Sequence, residues 1–286
     1  MRITLAAAAV ALAANSALAA DAIVEVAPEP IAVVAPIGSN YVAVRGIYSA
    51  AFIDQDVTTP AVAGGLNRTV TVNVGGVPTA VQVTGDLPAL GGELDNDYAV
   101  GGVLEAGRFL TPNLRVAAEF GYGYVATDAL VVTDPAAAAV PITVNGNAGT
   151  TDLRGRTVLD GGANVLAGFA KGAYEVPVFE NVGFVQRFSL YGHAGVGFVN
   201  VRPDIDFLNS QFRGSRVDGS DTVLAGKVGI GTVTKLTDRI ELNSEYGYTF
   251  GDDTEFAITN TPSGRDIPIS LDTKAHSFST GLRFRF

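Results

Sequence analysis

The stretch from His276 to Phe286 reads HSFSTGLRFRF. Taken in twos, His276, Phe278, Thr280, Leu282, Phe284 and Phe286 fall on one side, and Ser277, Ser279, Gly281, Arg283 and Arg285 on the other. A period of two belongs to a β-strand, because successive side chains leave a pleated strand on opposite faces. One face here is apolar and aromatic. The other is small, polar and cationic.

Seven further segments carry the same signal: YVAVRGIYSAAF from Tyr41, DYAVGGVLEAGRF from Asp97, LRVAAEFGYGY from Leu114, GGANVLAGFAKGAY from Gly161, RFSLYGHAGVGFV from Arg187, TVLAGKVGIGTV from Thr222 and RIELNSEYGYTF from Arg239. In the first, Val42, Val44, Gly46, Tyr48, Ala50 and Phe52 share a face opposite Arg45. In the third, Val116, Ala118, Phe120, Tyr122 and Tyr124 stand opposite Arg115 and Glu119. The segment around Gly161–Tyr174 alternates least, and its faces stay unassigned. Arg108-Phe109 reads as a bulge near the end of the second segment.

Ten to thirteen residues is what a tilted strand needs to cross a bilayer. The connections alternate in length. LTPN, VFENVG and KLTD are short, whereas the intervening links run to about twenty to forty residues. Soluble sandwiches have no reason for this rhythm, but a membrane barrel with short turns on one side and long loops on the other does. The expected fold is therefore an all-β, transmembrane, antiparallel up-and-down barrel of eight strands, with the apolar faces on lipid. The Val/Thr alternation on both sides of Gly75-Gly76 predicts a hairpin rising above the membrane.

Composition narrows the function. The 286 residues include no Cys and no Trp, and the formal charge is −10. Without Cys there are no disulfides, thiol nucleophiles or thiolate metal sites. An acidic chain does not suit phosphate backbones, so nucleic acid is not an expected partner. MRITLAAAAVALAANSALA opens with Arg2, continues as a short apolar run and ends on Ala17-Leu18-Ala19. This is the pattern of a secretory signal over residues 1–19, too short to span a bilayer. An Ala/Pro-rich periplasmic leader is expected over 20–39, and the barrel over 40–286.

If the faces hold, Arg45, Glu105, Arg115, Glu119, Lys227, Glu241, Glu245, Arg283 and Arg285 point into the lumen. Charges of both signs in so narrow a barrel are expected to pair into a plug; a narrow pore gated by rearranged pairs is the alternative. Of the two histidines, His193 falls on the lumen face and His276 near the outer end of the last strand. Neither has a serine two residues on, as a lipid-deacylating barrel would require, so no enzyme, cofactor or metal is expected. GKVGIGT at 226–232 continues as a strand and so is no phosphate loop. Acids cluster in the first long link (Asp54, Asp56, Asp86, Glu93, Asp95, Asp97) and in the last (Asp252, Asp253, Glu255), without calcium-loop spacing.

AEFGYGY at 118–124, LYGHAGVGF at 190–198, LAGKVGIGTVTKLTDRIELNSEYGYTF at 224–250 and STGLRFRF at 279–286 resemble the small eight-stranded outer-membrane barrels of Gram-negative bacteria, the opacity proteins and the barrel domain of OmpA. The resemblance implies residence in the outer membrane, contact with its lipid and lipopolysaccharide, and a structural or surface-interaction role through long acidic loops with a ligand the sequence does not name. A small porin is the alternative. It further implies that Phe278, Leu282, Phe284 and Phe286 form the terminal aromatic run read by the outer-membrane assembly machinery.

Overall fold

The computed structural model describes residues 40–50, 55–74, 76–183, 185–209 and 212–286. The expected signal and leader, together with Phe52, Asp54 and Gly75, lie outside them. Eight strands close a ring: β1 (Asn40–Ala50), β5 (Leu90–Phe109), β6 (Leu114–Val132), β9 (Gly155–Val182), β10 (Val185–Phe207), β12 (Asp221–Lys235), β13 (Ile240–Gly251) and β16 (Ala275–Arg285). Every neighbouring pair is antiparallel, and β1 seals the ring against β16, with Val44 opposite Leu282 and Tyr48 opposite Phe278. A closed ring leaves no unpaired edge, which a strand in lipid requires.

The opening stretch is β16, and its alternation is realised in side-chain burial. Phe278, Leu282 and Phe284 are exposed on the outer wall, while Ser279 and Arg283 are buried. The other ring strands follow suit, with Val44, Leu104, Phe120, Leu190, Val196, Leu224, Ile230 and Leu242 exposed outside. Apolar side chains on the outer wall of a closed barrel are favourable only against hydrocarbon.

The expected hairpin forms as β3 (Val62–Val74) and β4 (Val77–Leu87), and the structure adds six further strands where long loops were expected: β2 (Gln55–Thr59), β7 (Val140–Val144), β8 (Asn147–Thr151), β11 (Arg216–Asp218), β14 (Thr254–Thr259) and β15 (Ile267–Leu271). β5, β6, β9 and β10 are 20, 19, 28 and 23 residues long, about twice what a crossing needs. Their far halves pair onward, β10 with β11, β11 with β14, β14 with β15, β15 with β2, and β2 back to β5. The result is a second closed ring of eight strands stacked on the first. β3, β4, β7 and β8 form a separate four-stranded ledge, in which Val74 pairs with Val77 across the predicted hairpin turn.

Two details correct the sequence reading. The β5–β6 ladder runs without a break through Arg108 and Phe109, and its register shifts instead between Asp95 and Tyr98. VFENVG is mostly strand, since β9 continues to Val182 and the turn falls at Gly183.

Candidate functional site

The lumen has two chemically opposite floors. In the membrane ring the nine predicted residues face inward, and all but the half-buried Arg285 are buried. β9, the strand whose faces could not be assigned, supplies two more, Lys171 and Glu175. Their spacing of four places them on one side of a strand, and that was the signal available.

At the middle level Arg45 reaches three carboxylates: Nη2 lies 2.9 Å from Glu105 and 2.5 Å from Glu119, and Nη1 lies 2.9 Å from Glu245. Lys171 contacts the same three at 2.7, 2.5 and 3.4 Å, and Lys227 joins Glu119 at 2.6 Å and Glu245 at 3.0 Å. The three glutamates bring carboxylate oxygens within 4.8 Å of one another, close enough to share a cation. Here three side-chain cations fill that role, so the charges balance within the cluster. Tyr41 donates to Glu105 at 2.7 Å, and the Tyr191 hydroxyl lies 3.0 Å from Glu245 and 2.8 Å from Asn243 Oδ1. Gly107 has no side chain because the Tyr41 ring occupies the place where a Cβ would sit.

Nearer the short turns, Arg115 meets Glu175 at 2.5 Å, Arg283 bridges Glu175 at 3.2 Å and also contacts Glu241, and Arg285 reaches Glu241 at 3.2 Å. Arg115 lies 4.3 Å from the centre of the Tyr191 ring and Arg285 4.4 Å from that of Phe109, so aromatic faces take up guanidinium charge that carboxylates do not. Breaking such a network by removing one partner leaves an uncompensated buried charge, which costs far more than the intact network contributes.

Above it the chemistry inverts. Leu94, Leu159, Val201, Ile205, Phe207, Val217, Phe256, Ile258, Ile267, Ile269 and Leu271 fill the second ring and are all buried. Eight of them, Leu94, Leu159, Ile205, Phe207, Val217, Ile258, Ile269 and Leu271, line an apolar cavity of about 40 Å³ together with Val57, Thr59 and Leu130. The outer wall of this storey carries charge instead: Arg156 pairs with Asp95 at 2.7 Å and with Asp128, and Arg216 pairs with Asp204. Asp56, Glu93, Asp97, Asp252, Asp253 and Glu255 are exposed at this level, and Asp86 is exposed on the ledge. Along β10 the inward parity never changes: Tyr191 and His193 face in below, and Val199, Val201, Ile205 and Phe207 face in above. Only the polarity of the surroundings reverses, from lipid outside to water outside.

The two histidines lie on opposite sides of the wall. His193 is buried, with Nε2 3.4 Å from Glu245 Oε1. His276 stands on the outer side, hydrogen-bonded to Tyr246 at 2.7 Å and 4.7 Å from the Tyr248 ring centre. They cannot act together on one substrate.

A closed antiparallel ring with an apolar outer belt, three tight turns at one end and large structures at the other defines the class: an outer-membrane β-barrel. No family model matches the chain, and no curated protein matches it. Among solved structures it is similar to the outer membrane protein OprG of Pseudomonas aeruginosa, at 16% identity over 87% of this chain and 96% of that one, with a TM-score of 0.40. A major outer membrane protein from Thermus thermophilus matches at 12% identity over 87% and 99%, with a TM-score of 0.44. Neisserial surface protein A matches at 12% identity over 86% and 97%, with a TM-score of 0.36. At these values none of them says what this chain does.

Proposed function

We propose that this chain is a non-conducting outer-membrane barrel whose work is done outside the bilayer, where the second storey and the ledge present an acidic, β-rich surface to a partner. The observation that supports this most directly is a lumen occupied at two successive levels, by paired charge in the membrane ring and by apolar side chains above it. An ion entering from either end meets one barrier after the other, and rearranging the salt bridges would open only the first.

β3 is one of the two edge strands of the ledge. A two-residue connection makes Val74 and Val77 the hydrogen-bonded pair, so the next pair, Asn73 and Pro78, turns its backbone groups outward. Pro78 has no N–H to offer and blunts the β4 side. On the β3 side the amides of Asn73, Thr71 and Thr69 face outward, and from Thr69 to Gly85 the chain carries no charged residue. An uncharged open edge is suited to adding an extended strand from a partner.

Refolded protein in planar bilayers tests the closed lumen. The expected record shows no stable conductance steps. A steady channel whose amplitude changes in Glu245→Gln would replace this reading with that of a small porin.

A further inference from the structure

The outer wall of the membrane ring is apolar except near its rims, and at its turn-side rim stands Arg108. Arg108 lies one residue before the end of β5, points outward between Ala106 and the turn at 110–113, and is exposed. Its guanidinium makes no hydrogen bond or ion pair with any other described residue. An arginine at this depth keeps its charge only by reaching headgroups or an anion, because hydrocarbon cannot solvate it.

Beside it the wall is hollow. Ala106 pairs with Ala118 across β5 and β6, and Val42 lies opposite Ala106 on β1, so three short side chains adjoin beside Arg108. Val42, Ala106, Arg108, Val116, Ala118 and Phe286 line a lipid-facing groove of about 560 Å³. Phe286 is 74% exposed and forms one wall of it. A cation at the rim of an apolar trough matches a phosphate joined to a hydrocarbon chain, and matches neither a free anion nor a bare hydrocarbon.

We infer that this groove is a binding site for one glycerophospholipid of the periplasmic leaflet, with Arg108 on the phosphate and an acyl chain along Ala106, Ala118 and Val42. Depth chooses the source. The groove lies at the end with the tight turns, which in this class faces the periplasm, whereas the phosphates of lipopolysaccharide lie at the opposite surface. Arg offers a forked pair of donors to phosphate oxygens, a geometry Lys cannot reproduce.

Native mass spectrometry of the detergent-purified full chain, supplied in turn with phosphatidylglycerol, phosphatidylethanolamine and lipid A, tests the assignment. The wild type is expected to retain one glycerophospholipid. Arg108→Gln, which removes the charge, and Ala118→Phe, which fills the trough, are expected to lower the bound fraction at least tenfold. Ile230→Phe on β12, across the ring from β5, is expected to leave it unchanged. All variants alter outward-facing side chains, and the gel-mobility shift of the folded barrel confirms that each has assembled. Retention unchanged in Arg108→Gln, no retained lipid in the wild type, or a preference for lipid A would each overturn the site.

Discussion

Replacing Arg45 by methionine is expected to destabilise the folded barrel by about 3–5 kcal/mol, the cost of breaking a buried charge cluster from one side. Arg45 touches Glu105, Glu119 and Glu245 through one guanidinium, each at 2.9 Å or less. Without it, three carboxylates face two lysines in a space that water barely reaches. Methionine keeps most of the volume, so the loss reports charge and not a cavity. Equilibrium unfolding in urea from lipid vesicles, read by tryptophan-free tyrosine fluorescence and by gel mobility, measures it. The double variant Arg45→Met/Glu105→Gln restores the balance of charge and is expected to recover a large part of the loss. A single variant as stable as the wild type would mean that the cluster is hydrated and the lumen open.

Phe207→Ala should act on the other storey. Phe207 is 3% exposed, packs edge-on against Phe212 with ring centres 5.9 Å apart, and lines the apolar cavity. Removing a buried phenyl ring costs about 3–5 kcal/mol. Because the second ring is held by its own apolar core, the cost should fall on local opening there. Limited proteolysis is expected to cut the turns after Phe207 and after Asn260 about two to four orders of magnitude faster where local opening governs cleavage. The membrane ring should remain protected and keep its gel-mobility shift. Loss of the whole barrel in this variant would show that the two storeys fold as one unit and would remove the case for a separable surface module.

Both predictions draw on features that were unequally legible. Ring strands could be read because each carries a long run of strict alternation next to a tight turn, as in LRVAAEFGYGY after LTPN. The same parity put Arg45, Glu105, Arg115, Glu119, Lys227, Glu241, Glu245, Arg283 and Arg285 on one face, and that face is where their ion pairs form. Lys171 and Glu175 were hidden because GGANVLAGFA has small residues on both faces, which erases the contrast that alternation depends on. The second storey was hidden for a different reason. NVRPDIDF, from Asn200 to Phe207, alternates as regularly as the segment before it, but with the apolar residues on the opposite parity. Read as a continuation of a lipid-facing strand it looks like the start of a loop.

Sequence by itself determined that strands of this chain alternate, that their apolar faces are too extensive for one small interior, and that tight and long links follow each other around a ring. These are local properties, set by side-chain order and by the short reach of a two-residue period. Tertiary structure decided which way each face points once a strand leaves the membrane. It also decided which carboxylate meets which cation and that β2, β11, β14 and β15 close a second ring. Inside and outside are not properties of a strand. They follow from the solvent beyond the wall, so one unbroken β10 can turn the same odd-numbered face onto a charge network at Tyr191 and His193 and onto an apolar core at Ile205 and Phe207.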